Sequence, residues 1–303
     1  ERMGIGEDAI RAVAPDVIYV SIAGFGHTGP YAAKPVYDPL IQALSGLATV
    51  QGGSDEVRPK LVRTILPDKL TGIVAAQAIS AALFARTRTG EGQHIRLSML
   101  DTLIAFLWGS DMGSQTFVDE PFPQQEAASF IDLIYETADG YISVAVQNDR
   151  EWTSLTRAFE RPEWLEDPRF RTPALRQQNI DDRLRMTQEV LLTRTAAEWL
   201  ERLEAEDVPC APVLTRSEMI RHPQVAANAI VVEDEHPDAG LVRQARPAAQ
   251  FSAAPFETAR GGPALGEHTE EILGEAGMER AEIDALLDAG VALQVRRARD
   301  AAE

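Results

Sequence analysis

From Thr71 to Arg86 the chain reads TGIVAAQAISAALFAR, a proline-free run of strong helix formers. A run this apolar on every side has one comfortable place in a folded protein, a helix in an interior layer. The spacing therefore predicts a largely buried helix over 71–86. The segment ahead of it, RTILPDKLTG (63–72), is a polar break that puts the carboxylate of Asp68 just before the helix. There it meets the positive end of the helix dipole and unpaired N–H groups, which favour its charged form by about 0.3–1 kcal/mol when exposed. Two readings follow. Asp68, or Thr71 after it, caps the helix; or Asp68 stays charged while shielded from water and acts as a nucleophile.

Around this helix, strands and helices alternate. A short helix near Glu7–Val13 precedes a strand over Val17–Ile22 and a glycine-rich loop over 23–30. A helix over Asp38–Leu47, the 71–86 helix, the turn RTGEGQ (88–93), a strand over His94–Ser98 and a helix over Met99–Trp108 come next. This alternation predicts an α/β fold, a Rossmann-like large domain with a parallel sheet. The character changes after Gln115. FVDEPFPQQEAAS (117–129) reads as a linker, and Asp132–Thr137 and Tyr141–Val146 flank Ala138-Asp139-Gly140 as a hairpin. Helices over Asp149–Phe159, Asp181–Leu192 and Ala196–Glu204 complete a smaller α+β domain. The expected organisation is a first part of the large domain over 1–120, the small domain over 125–222, and a return segment over 223–303, with helices at 266–277 and Ala281–Asp288.

Composition narrows the class. A net charge of −18, from 47 acidic against 29 basic residues, argues against a nucleic-acid partner. No uninterrupted apolar run approaches bilayer-spanning length, so no membrane partner is expected. The lone Cys210, in the apolar stretch VPCAPVL, rules out an internal disulfide framework and favours a reducing, cytoplasmic setting. His27, His94, His222, His236 and His268 show no metal-ligand spacing, and no metal is expected.

Gly24-Phe25-Gly26-His27-Thr28-Gly29 is a literal G-x-G-x-x-G directly after a strand. A dinucleotide site needs this motif to open a helix, and here Pro30 and Pro35 break the next stretch. The glycines instead suit a loop whose backbone a ligand approaches closely. No serine sits in a nucleophile elbow, and neither His27 nor His94 has an evident serine or cysteine partner, so a Ser–His–Asp hydrolase is not supported.

Five segments together resemble one family. GFGHTGPYA (24–32), VYDPLIQALSGL (36–47), PDKLTG (67–72), ALFARTRTGEGQHIRLSMLD (82–101) and GEHTEEIL (266–273) stand in the order of the class III CoA-transferases. The resemblance covers nearly the whole chain, and the family pattern places a further leading portion, roughly a quarter of its usual length, ahead of Glu1.

This resemblance implies that Asp68 is the catalytic aspartate and that Arg2 and Met3 match an Arg-Met pair contacting CoA. It places Tyr37 as an active-site tyrosine, Met99 in the CoA site, and Lys34 near, though displaced from, a lysine beside the phosphates. Gly24, Gly26 and His27 belong to a loop whose N–H groups stabilise oxyanions. It further implies acyl-CoA and a carboxylic acid as substrates, CoA bound as substrate with no tightly held cofactor, and an interlocked homodimer. The family's glycine-rich flap is not evident in 114–129. Two alternatives stay open. The related α-methylacyl-CoA racemases carry histidine at the Tyr37 position, and a phenol ionising near pH 10 is a poor substitute base; His27 supplies one if its loop folds inward. The other alternative is a non-catalytic chain that binds CoA or dimerises.

Overall fold

In a computed structural model the described residues are 3–53, 55–116, 118, 133–236, 239–256 and 262–295. The chain divides into two compact units, Glu1–Ala211 and Pro212–Glu303. The boundary expected at 120–125 falls inside the first unit, where it separates two apolar clusters. The expected linker lies, apart from Val118, outside the described residues.

The first unit opens with α1 (Glu7–Val13), β1 (Tyr19–Ala23), α2 (Asp38–Leu44), α3 (Leu47–Gly52), α4 (Leu66–Thr89), β2 (His94–Ser98), α5 (Met99–Trp108) and α6 (Gly113–Thr116). Among the described residues β1 and β2 form a parallel pair, with Tyr19 opposite His94 and Ala23 opposite Ser98. Parallel strands need a crossover, and α2 to α4 supply it. The turn back into β2 requires Gly92, because a Cβ there would lie 2.2 Å from the Val17 carbonyl oxygen. Ser98 then ends the strand and caps α5 at once, its hydroxyl accepting from Asp101 N at 2.9 Å. Ile41, Leu47, Leu103 and Leu107 form the buried centre of this half, and Phe25, Val36, Leu66, Leu70 and Met99 pack around it.

The face of the β1–β2 pair that carries Ser21 and His94 holds a polar fastening that the linear sequence hides. Ser21 Oγ lies 2.7 Å from His94 Nε2, and Glu7 of α1 contacts His94 Nδ1 from the other side. A carboxylate at Nδ1 favours a proton there, leaving Nε2 to accept from the Ser21 hydroxyl. His94 thus does have a serine partner, brought across 73 positions by strand pairing. Ser21 lies within a strand and not on an exposed turn, so the arrangement fastens α1 to the sheet.

The remainder of the first unit comprises β3 (Ile134–Glu136), β4 (Tyr141–Val144), α7 (Asp149–Ala158), α8 (Pro173–Gln178), α9 (Ile180–Leu191), α10 (Ala196–Ala205) and β5 (Cys210–Pro212). β3 and β4 form the expected hairpin, and β5 adds a third strand beside β4. Its core is aromatic. Trp152 stacks on Trp164, while Phe159 meets both Trp164 and Trp199 edge-on. Trp199, 2% exposed, also donates its indole N–H to Leu191 O at 2.8 Å. The second unit carries α11 (Arg216–Met219), α12 (Pro223–Ala227), the antiparallel pair β6 (Val231–His236) and β7 (Gly240–Ala245), α13 (Thr269–Glu275) and α14 (Arg280–Asp288).

Two expectations about α4 fail. The helix begins at Leu66, five residues earlier than predicted from Thr71, so Asp68 lies inside its first turn and neither Asp68 nor Thr71 caps it. Nor is it largely buried: Pro67, Thr71, Ala75 and Ala82 are the buried residues of its 24. By length and composition alone α4 is long and apolar enough to cross a bilayer, contrary to the expectation of no such run. It packs along one stripe on α2, α5 and β2.

Two outcomes follow from these contacts. Trp199→Ala removes a ring and a buried hydrogen bond at once, and chemical denaturation should show a loss of about 3–5 kcal/mol. The Glu7 carboxyl is held below the usual carboxylate range chiefly by the hydrogen bond from Arg11, with His94 adding to it against the opposing effect of burial. A depressed folded-state value stabilises above the unfolded carboxylate range and is lost as pH falls through the folded value. Exchange protection of α1 amides, corrected for intrinsic rates, should therefore fall on acidification in the native protein and stay flat in Glu7→Gln.

Candidate active site

The site builds outward from the apolar cluster around Ile41. Three chain segments converge on it: the loop after β1 through Phe25 and Val36, the start of α4 through Leu66 and Leu70, and the start of α5 through Met99. Each places a predicted site residue beside the cluster. Tyr37 follows Val36, Asp68 stands between Leu66 and Leu70, and Met99 is itself half-buried there.

Helical geometry decides where Asp68 points. Leu66 and Leu70 fall one turn apart on the packed side, as do Pro67 and Thr71, so that side covers a contiguous arc of the helix. Asp68 lies beyond the edge of that arc and is exposed. The expectation that Asp68 is shielded from water is not met by the described residues: the inward stripe of α4 is used by Leu66, Pro67, Leu70 and Thr71. As the third residue of the helix, Asp68 remains in the turn where the dipole favours an anion. A cavity of about 650 Å³ shares Leu66 with this turn and is otherwise bounded by Val50, Lys60, Val62 and Phe106, among others, without Asp68 on its wall.

Tyr37 precedes α2 in extended conformation and is 78% exposed. Lys34 is exposed too, its Nζ 4.0 Å from the centre of the Tyr31 ring. His27 is tethered: its Nε2 lies 3.1 Å from Leu97 O, and since a carbonyl only accepts, that nitrogen carries the proton. The loop therefore holds His27 against β2 and does not fold it inward as a base.

The loop glycines divide into two roles. A Cβ on Gly24 would come within 2.3 Å of Val36, so this glycine makes room for a side chain of its own loop. Its carbonyl accepts from Leu100 N at 3.0 Å, tying the loop to α5. Gly26 has φ +134° and its nearest neighbour, Thr28 O, is 3.6 Å from where a Cβ would stand, leaving it open on that side. Met3 is exposed, and no described contact joins it to the cluster. Arg2 and most of the segment expected to carry the flap lie outside the described residues.

The sequence pattern of CoA-transferase family III matches residues 1–269. A human protein, succinyl-CoA:glutarate CoA-transferase, is 31% identical over 296 residues, covering 95% of this chain and 66% of its own length. Formyl-CoA:oxalate CoA-transferase from Streptomyces coelicolor is 30% identical, covering 96% of this chain and 75% of that protein. Among solved structures, a CAIB/BAIF family protein from Brucella suis superposes with a TM-score of 0.75 at 29% identity, covering 90% of this chain and 71% of that one. The chain thus spans about two thirds of the length of the human relative, with the segments that converge on the Ile41 cluster lying within the matched residues, and it belongs to CoA-transferase family III.

Proposed function

We propose that this protein is a CoA-transferase that moves CoA from an acyl-CoA to a carboxylic acid, with Asp68 as its nucleophile. Family membership across residues 1–269 carries this reading. The position of Asp68 supports it, in the first turn of a long helix and open to an incoming thioester.

The chemistry needs no outside reagent. The Asp68 carboxylate attacks the thioester carbonyl; the C–S bond breaks, giving an acyl-aspartyl anhydride and CoA thiolate. The thiolate then attacks the aspartyl carbonyl, releasing the donor acid and leaving an aspartyl thioester. An acceptor carboxylate repeats the two steps in reverse order, restoring Asp68 and forming the new acyl-CoA. One carboxyl derivative replaces another throughout, so the exchange runs near equilibrium. Gly26, open on one side, is proposed with its loop neighbours to direct N–H groups at the developing oxyanion. Arg2, Met3, Lys34, Tyr37 and Met99 are proposed to contact the acyl-CoA. The tether on His27 and the absence of histidine at position 37 disfavour proton exchange at a substrate α-carbon.

A nucleophile of this kind works best away from water. Its own chain leaves Asp68 exposed, so the shielding is proposed to come from bound acyl-CoA and a second copy of the chain. The outer side of α4 suits the latter: Ile73, Leu83 and Phe84 are exposed there, an apolar surface of the kind that marks an interface. The large domain is proposed to be Rossmann-like, with residues 223–303 as its return segment, and the setting cytoplasmic.

Succinyl-CoA with glutarate, and formyl-CoA with oxalate, are the first pairs to test. Asp68→Ala should keep the circular dichroism spectrum and lower transfer by at least about 10³-fold. A well-folded Asp68→Ala protein that transfers CoA at the native rate refutes the assignment.

A further inference from the structure

The 24 residues of α4 start without a capping side chain: Ile65 stands at the N-cap and makes no side-chain hydrogen bond to the first turn. Such a terminus frays unless something else fixes it. The first turn is where Asp68 sits, and a misplacement of about 1 Å at a reacting group costs on the order of 100-fold in rate.

Gln42 of α2 supplies the missing fixture. It is 2% exposed, and its amide grips the backbone leading into α4. Oε1 accepts from Val62 N at 2.9 Å, while one Nε2 hydrogen is shared between Val62 O and Thr64 O, both at 3.3 Å. Thr64 O is the hinge of this arrangement, because it also accepts from Leu66 N at 2.8 Å, the first residue of the helix. Thr64 Oγ1 in turn accepts from Lys69 Nζ at 3.0 Å, closing the turn around Asp68 from its far side.

An amide can grip in two orientations, and only one fits here. Asp38, 6% exposed, settles which: Gln42 Nε2 donates to Asp38 Oδ1 at 2.6 Å, and a carboxylate accepts only. Reversing the amide would set two acceptors against each other and leave Val62 N–H facing an NH₂ group. The other oxygen of Asp38 is buried with no hydrogen-bond partner among the described residues. Carrying that unsatisfied oxygen is costly, yet it is the oxygen left over from aiming Gln42.

We propose that Gln42, oriented by Asp38, is a positioning residue that sets where Asp68 stands. The proposal rests on Asp68 being the nucleophile, so its test has one readout that depends on chemistry and one that does not.

The first readout is hydrogen exchange. In Gln42→Met, the amides of Val62, Leu66, Lys69 and Leu70 should lose about tenfold or more in protection, while those at the far end of α4, 82–89, match the native protein. Uniform loss along α4, or none, overturns the proposal whatever Asp68 does. The second is covalent labelling of Asp68 by succinyl-CoA in a rapid-quench mass measurement. Gln42→Met should slow labelling about tenfold or more at saturating succinyl-CoA, with half-saturation within about twofold of native. Labelling at the native rate overturns the proposal. If local protection falls as described but the native protein never labels with an acyl-CoA that it turns over, the nucleophile assignment fails, and the proposal with it.

Rescue separates positioning from mere stability. Gln42→Glu sets a carboxylate against Asp38 and should be worse than Gln42→Met. The pair Asp38→Asn with Gln42→Glu restores the 38–42 hydrogen bond in reversed sense and keeps an acceptor for Val62 N–H. It should recover protection of Val62 relative to Gln42→Glu but not the labelling rate, because no donor is left for Thr64 O; no recovery at Val62, or full recovery of labelling, counts against the proposal.

Discussion

The packing of Ile41, Leu47, Leu103 and Leu107 is the contact on which the candidate site depends. Four side chains bury one small apolar volume, and three separate stretches of chain are held at fixed positions because each contributes a residue to its edge. Val36 brings the loop after β1, Leu66 and Leu70 bring the start of α4, and Met99 brings the start of α5. None of these residues does chemistry. They determine that Tyr37, next to Val36, and Asp68, between Leu66 and Leu70, flank one cluster. A change of even one methylene at Leu103 or Ile41 would be felt at all three stretches, because an interior packed to crystal density relaxes only in part.

Much of the fold was legible where local chemistry and long-range packing agree. His94–Ser98 and Met99–Trp108 were read to the residue, since the glycine turn RTGEGQ opens the strand and an apolar helix, capped by Ser98, follows it directly. The hairpin around Ala138-Asp139-Gly140 followed from its turn residues, and α9 and α10 from their apolar period. The start of α4 was misplaced because Pro67 looks like a breaker, whereas near the N-terminus of a helix proline is well tolerated. Burial of that helix was misjudged for a different reason. A helix apolar on all sides implies that all sides are covered, but not that its own chain covers them.

The site was legible in its identities and not in its geometry. Five segments in order were enough to indicate the family, and the family match bears that out. What the linear chain could not disclose were relations across space. His94 meets Ser21 only because two strands pair in parallel, and Gly24 is glycine because Val36 folds back onto it. Nothing in the linear chain marks Gln42. Its role emerges once the segment 62–64 is laid against it, turning a side-chain amide into a step of backbone-like pairing.

Oxygen bookkeeping gives the most direct test of the central claim, that CoA passes through the carboxyl group of Asp68. If it does, each turnover leaves one acceptor oxygen on Asp68 when the new thioester departs. The native protein, given an acyl-CoA it uses and an acceptor acid labelled with ¹⁸O in its carboxylate, should yield an Asp68 peptide carrying one ¹⁸O after a single turnover and up to two on continued cycling. Product formation with no ¹⁸O on that peptide would contradict the account.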